Sequence, residues 1–400
     1  MKINIGESNI FKFIVILSGM MIVGRLFGMN MLTSMSFYLS FICVLILWMI
    51  IFISRPSTID FLTLLIIAIA FINCLISMDV GLSWGYFEKY IMFASSVLFL
   101  SICSRIKLKK SDEKMLHRIN LILFVLVVVV LLIKQYECFY FTNTGVAYLT
   151  LGFTNPNTTA LFLTCIVIYA IVSLLSNTRK LIKLIGIAIV CVGGVLVALT
   201  KSRTSLLILL LFAFLAMLSL IKKKPWYPKN NFFCMVISVF PFVFAIVYQT
   251  IMKYGLNIKG LDFLVSEGKA LSSRQSIWED AFSLILNHPI TGNYGYIYKS
   301  NIQQMHNSHL DVATSYGFPV LLLVCMLLYF ILSYTVKNTN RDTKSYLSIW
   351  GFVSALLLGI GEAALFSGGL SFYLLVGGLA TIANQNSIGN RGQTDEQSRY

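Results

Sequence analysis

The residues best suited to polar chemistry gather in a few short stretches of this 400-residue chain. The densest is Met305-His306-Asn307-Ser308-His309-Leu310-Asp311. A histidine near neutral pH accepts a proton from an attacking hydroxyl, which makes His306 a candidate general base. His306, His309 and Asp311 also admit a zinc reading, though a helical i, i+3 pair with one acid is a thin ligand set. A plainer reading is a polar helix start that hydrogen-bonds its own loop. No CxxC pair accompanies the cluster, so the sequence predicts no metal.

Two arginines stand out. Ser272-Ser273-Arg274-Gln275-Ser276-Ile277-Trp278 opens an amphipathic helix with serines as natural caps. Arg274, Trp278, Ala281 and Ile285 share one face, and His288-Pro289 ends the helix. Arg274 then touches either lipid phosphates or a phosphate-bearing substrate, with Trp278 beside it. Arg203 lies in Leu199-Thr200-Lys201-Ser202-Arg203-Thr204-Ser205, a very short turn between two apolar blocks. Ionisable groups at membrane depth are functional candidates. Snorkelling is the plainer account and suits Lys201 better than Arg203. Gly152-Phe153-Thr154-Asn155-Pro156-Asn157-Thr158-Thr159 precedes another block, where Asn157 or Thr158 is expected to cap a helix whose N-terminus can meet an anion. Pro289-Ile290-Thr291-Gly292-Asn293-Tyr294-Gly295 is turn-rich and weakly informative alone. Within apolar blocks, Arg25, Glu88, Lys89 and Glu362 also carry charge. Glu88 and Lys89 read as structural, and Glu362 as a carboxylate that orients a cation such as Arg203.

The elements that position these groups follow from composition. With 58% hydrophobic and 12% charged residues, the chain is not an ordinary soluble domain. Its apolar residues come in blocks close to the ~20 residues that cross a bilayer core. Blocks near 10–28, 31–53, 59–78, 85–104, 118–134, 158–176, 181–200, 203–221, 232–252, 316–336, 346–366 and 367–385 predict an all-α polytopic membrane protein, a single integral domain over 1–400, with about twelve spans. The first block reads as a retained span rather than a removed signal. Basic residues collect in alternate connections (Arg55; Arg105 to Lys114; Arg179, Lys180; Lys222 to Lys229; Lys337 to Lys344), which places those connections and both termini in the cytoplasm. The net charge of +15 therefore reads as membrane anchoring to anionic lipid, not as a nucleic-acid surface. Of eight cysteines, seven fall in apolar blocks, and Cys138 is expected to be exposed on the outer side.

This topology puts Arg203, Arg274, His306 and the 152–159 turn on the outer side, with Arg274 and His306 within one long loop, 253–315, between spans nine and ten. Two arginines and a histidine suit a diphosphate leaving group and a hydroxyl acceptor. Arginine binds phosphate through a planar fork and steadies charge on the departing diphosphate.

The ordered set of Asn-Pro-Asn before a span, Lys-Ser-Arg at a short outer turn, Arg-Gln-Ser-Ile-Trp in a long loop, Pro-Ile-Thr-Gly-Asn-Tyr-Gly, and His-Asn leading to Tyr-Gly-Phe-Pro resembles the O-antigen polymerase and O-antigen ligase superfamily over roughly 150–335. The resemblance implies a metal-independent, inverting glycosyltransferase of the polytopic C-type fold, without a cofactor. It implies catalytic Arg203, Arg274 and His306. Lys201, Asn157, Asn307, Trp278 and His309, polar or aromatic groups in the same stretches, and Glu362 beside them, are expected toward substrate. The resemblance implies a bacterial cytoplasmic-membrane enzyme whose donor is a saccharide on undecaprenyl diphosphate, with a flippase and a chain-length regulator as possible partners and no nucleic acid. Polymerases extend another lipid-linked repeat unit; ligases transfer a finished chain to lipid A core. Ligases tend to show His-Asn, nine residues, then Gly-x-x-Gly or a Thr or Tyr at the last place; here Gly317 is followed by Val320, which favours a polymerase. A lipid-linked oligosaccharide flippase is the alternative of another class. It should concentrate charge at the bilayer midplane.

Overall fold

In lipid the backbone must satisfy its own hydrogen bonds, so long apolar blocks become helices. The computed structural model describes residues 6–77, 84–106, 110–141, 145–153, 155–175, 180–221, 231–254, 272–299, 305–338, 343–367 and 376–381. Helices α1 (Glu7–Leu26), α2 (Asn30–Ser54), α3 (Thr58–Ile76), α4 (Trp84–Arg105) and α5 (Lys110–Lys134) lead to a short hairpin of β1 (Phe139–Phe141) and β2 (Ala147–Leu149). The hairpin is antiparallel, with Tyr140 opposite Tyr148. Helices α6 (Pro156–Leu175), α7 (Lys180–Leu199), α8 (Arg203–Ile221) and α9 (Asn231–Tyr254) follow. Then come α10 (Ser272–Asn287), α11 (Tyr294–Lys299), α12 (Ser308–Tyr316), α13 (Phe318–Lys337), α14 (Thr343–Leu358) and α15 (Ala364–Ser367).

The chain is an all-α polytopic membrane protein. Among the described residues, eight helices are long and apolar enough to cross a membrane, with shorter apolar stretches at Leu184–Leu199 and Arg203–Ser219. Large apolar side chains that point outward, such as Leu207, Leu210, Phe214 and Met217 of α8, are exposed in the isolated chain and suit a lipid surround. The block expected at 346–366 differs: its helix stops at Leu358, where Gly359, Ile360 and Gly361 close tighter i→i−3 turns. Most of the block expected at 367–385 lies outside the described residues, as do 255–271 and 300–304 of the long loop and the basic stretch 222–229. The described part, 376–381, is helical and packs on α4: Thr381 donates to the Cys103 carbonyl at 2.9 Å. A Cβ on Gly377 would meet Cys103 Sγ at 2.3 Å, so the small residue permits close helix contact.

Acid–base pairs knit one end of the bundle. Arg55 meets Glu7 at 2.5 Å and Lys12 meets Asp112 at 2.8 Å, while Arg105 pairs with Asp60 and Lys344 with Glu113. These join the starts of α1, α3, α5 and α14 to the ends of α2 and α4. Ser57 and Asp60 form a reciprocal capping box at α3.

At the other end, α10 to α12 fold back onto the helices. Asn73 of α3 donates to the Ile290 and Tyr316 carbonyls at 3.1 and 2.7 Å. Phe318 N–H donates to Pro289 O at 2.8 Å, and Asn293 N–H to Thr314 O at 2.7 Å. Gly292 (φ +64°) and Gly317 (φ +85°) touch backbone to backbone: a Cβ on Gly317 would meet Ile290 O at 2.1 Å. The turn-rich 289–295 stretch thus closes the loop against α12. Two expectations are corrected. Cys138 is buried, with its thiol 3.8 Å from the Val130 carbonyl, because the short 3-10 turn Gln135–Cys138 folds back on the end of α5. The cap of α6 is Asn155, not Asn157 or Thr158: Asn155 Oδ1 accepts from Asn157 N–H at 2.8 Å. Pro156 occupies the first helical position, where it has no N–H to satisfy, so the cap falls one residue earlier.

Candidate functional site

Trp278 fixes the placement of Arg274. It is fully buried, its indole N–H donates to the Met305 carbonyl at 2.9 Å, and its ring meets Tyr248 edge-on at 5.3 Å. Ala281 and Ile285, on the same face, are buried too. That face docks α10 against α9. Arg274, one turn before Trp278, is thereby directed at Glu362: Nη2 and Oε1 lie 3.0 Å apart, with the carboxylate side chain only 3% exposed.

Glu362 was expected toward the outer end of a span. It lies instead in the non-helical break between α14 and α15, which frees its carboxylate to reach two partners. Its other oxygen, Oε2, is 3.2 Å from His306 Nδ1. Arg274 is thus a cationic partner of Glu362, one the sequence did not suggest. His306 adopts a left-handed backbone conformation, φ +48°, which is uncommon for a residue with a Cβ. Bonds on both sides hold it there. Asn307 caps α12, accepting from the His309 and Leu310 N–H groups at 3.0 and 3.1 Å. Its amide donates to the carbonyls of Pro241 at 2.8 Å and Ile360 at 3.3 Å. Ser308 N–H donates to Gly359 O at 2.9 Å, and its hydroxyl donates to Glu362 O at 2.9 Å and accepts from Leu365 N–H at 3.2 Å. Segments 305–308 and 359–365 are therefore laced together.

Helix α9 carries Pro241 in its interior, and proline donates no N–H to the ladder. In the same turn the carbonyls of Ser238 and Pro241 accept from His309 Nε2 at 2.8 Å and from the Asn307 amide at 2.8 Å. His309 thus points into α9 and not toward His306. Among the described residues, no group of three or more His, Cys, Asp or Glu is arranged to hold a metal.

Arg203 opens α8 and is exposed. Its neighbour Thr204 packs on the residue before Glu362: a Cβ on Gly361 would lie 2.7 Å from Thr204 Oγ1. This contact brings the start of α8 to the Glu362 break. Lys201 (φ +57°) sits over the Tyr148 ring, 5.0 Å from its centroid, so it leans on the hairpin. Asn157 lies in the first turn of α6, and no described contact joins it to Glu362, Arg274 or His306.

The structure therefore brings Arg274, Glu362, His306, Asn307 and Trp278 together, with Arg203 bordering them; it sets His309, Lys201 and Asn157 apart. Sequence reasoning missed Ser308 and Thr204. The spacing Gly359-x-Gly361 beside a lone acid was the available hint of a tight break.

A carboxylate only accepts hydrogen bonds, so His306 Nδ1 carries the proton shared with Glu362. In a neutral imidazole this contact favours the tautomer with its lone pair on Nε2, the form a general base needs. The single carboxylate also steadies a guanidinium whose remaining N–H groups can meet an anion.

No curated protein matches the chain. Residues 187–325, the segment that carries Arg203, Arg274 and His306 but ends before Glu362, match the O-antigen ligase family model, so this part of the chain is similar to that family.

Proposed function

We propose that this protein polymerises undecaprenyl-diphosphate-linked oligosaccharide repeat units into a surface polysaccharide (capsule, exopolysaccharide or O-antigen) on the outer face of the bacterial cytoplasmic membrane. Both termini would lie in the cytoplasm. The observation that carries the reading is the sharing of Glu362 between His306 and Arg274. One carboxylate sets a base and an anion-binding group side by side, as a transfer from a diphosphate donor requires.

In this mechanism His306 Nε2 takes the proton of an acceptor sugar hydroxyl. The oxygen attacks the donor's anomeric carbon from the face opposite the diphosphate. The new C–O bond forms as the anomeric C–O bond to phosphate breaks, and the configuration inverts. The bonding pair leaves with the lipid diphosphate, whose charge Arg203 and Arg274 meet. Glu362 balances the imidazolium that develops. No metal enters the sequence of steps.

Val320, where ligases tend to carry Gly, Thr or Tyr, supports a polymerase. A second reading, transfer of a finished chain to lipid A core, is favoured by the O-antigen ligase description of the matching family. A flippase is disfavoured because Arg274, Glu362 and His306 gather where chain breaks and short helices meet rather than along the middle of a span pair.

The test is purified protein given one lipid-linked repeat unit, with and without lipid A core. A ladder of chain lengths without core supports the polymerase. Transfer only when core is supplied establishes the ligase instead, and no new glycosidic bond in either case would leave transport.

A further inference from the structure

Lys89 read as structural in the sequence, and Asp311 only as a thin metal ligand. In the fold they meet: Lys89 Nζ and Asp311 Oδ1 lie 3.7 Å apart, with the Asp311 side chain 7% exposed. Lys89 belongs to one face of α4, spaced i, i+3, i+4, i+7, that carries this helix's contacts to the long loop. Tyr86 meets Tyr294 at 4.9 Å between ring centroids, and Tyr90 N–H donates to the Tyr294 hydroxyl at 3.1 Å. Phe93 meets Tyr316 at 4.5 Å.

The Asp311 carboxylate faces the backbone N–H of Met305, the residue just before His306, and that N–H favours its charged form. The Met305 carbonyl, in turn, accepts from Trp278. Met305 is thus held by α10 through its carbonyl and faced by α12 at its N–H, immediately ahead of the left-handed turn at His306. A left-handed conformation at a residue bearing a Cβ persists only where its surroundings fix it. We propose that the Lys89–Asp311 pair is a positioning element for His306: Lys89 holds the Asp311 carboxylate in the interior, and Asp311 holds the Met305 peptide so that His306 Nδ1 faces Glu362. Neither residue touches the reacting atoms. The proposal rests on the transferase reading of His306.

The test compares Lys89→Met, Asp311→Asn, Lys89→Arg and the double variant Lys89→Met/Asp311→Leu in full-length purified protein. Two readouts are taken: kcat and KM for a lipid-linked repeat unit, and the rate of diethylpyrocarbonate modification of His306 mapped by peptide mass. Lys89→Met and Asp311→Asn should lower kcat about tenfold or more with KM nearly unchanged, because misplacement of a reacting group acts on turnover. Both should also speed His306 modification, and Lys89→Arg should restore most of the turnover. Each single variant leaves one charge buried alone, which costs stability; the double variant removes both charges and recovers folding. It should still show low kcat and fast His306 modification, since the Met305 N–H has lost its acceptor. Full turnover in the double variant, or KM raised with kcat intact in the single ones, overturns the proposal. If the wild type itself forms no glycosidic bond, the transferase reading fails, while the His306 modification rates still decide whether the pair positions that residue.

Discussion

His306 Nδ1 lies 3.2 Å from Glu362 Oε2, although 56 residues separate the two in the chain. The same carboxylate holds Arg274, 88 residues away, through its other oxygen. A base and an anion-binding group are therefore tied to one acid, and the consequences of cutting either tie differ.

Glu362→Gln keeps the size of the side chain but replaces an acceptor-only group with an amide. The amide can donate to Nδ1 and so stabilises the wrong tautomer of His306. Turnover should fall by roughly 100-fold, within the range general-base groups contribute. Polymer yield per unit of membrane-inserted protein measures it, and yield equal to wild type removes Glu362 from the mechanism.

Arg274→Lys preserves charge but loses the planar fork. It should fail to restore polymer, as should Arg203→Ala, with each protein still present in the membrane. Normal long chains from an Arg274→Ala strain would show that this arginine only supports the fold.

Asn307→Asp separates two tasks of one side chain. The carboxylate still accepts at the start of α12, but the donors to the Pro241 and Ile360 carbonyls are gone. Leaving buried carbonyls unmatched costs about 1–3 kcal/mol. Thermal unfolding in detergent should shift down, and an unchanged midpoint would mean that water replaces the lost bonds.

Chelation gives a further check. Every step assigned above uses side chains, so transfer should survive EDTA. Loss of transfer that zinc restores would revive a metal role for His306.

The path from sequence to site was open where the signal was local. Apolar blocks set the helices, the i, i+4, i+7 face of Trp278, Ala281 and Ile285 showed how α10 docks, and Arg203 stood out as a charge at the opening of α8. The rest depended on the chain meeting itself. No window of sequence shows that Lys89 of α4 reaches Asp311 of α12, or that carbonyls of α9 meet Asn307 and His309. Glu362 was legible as a charge but not as a hub, since a helix through 346–366 hid the break at Gly359. The cap of α6 falls at Asn155 rather than Asn157 or Thr158 because Pro156 takes the first helical position.

The central claim is that His306 is the base of a glycosyl transfer at this site. Its most direct test is the formation of glycosidic bonds from one purified lipid-linked repeat unit by wild-type protein and by His306→Ala, matched for folded protein. The account predicts extended products from the wild type and none above background from His306→Ala. Extension by the variant at the wild-type rate would contradict it.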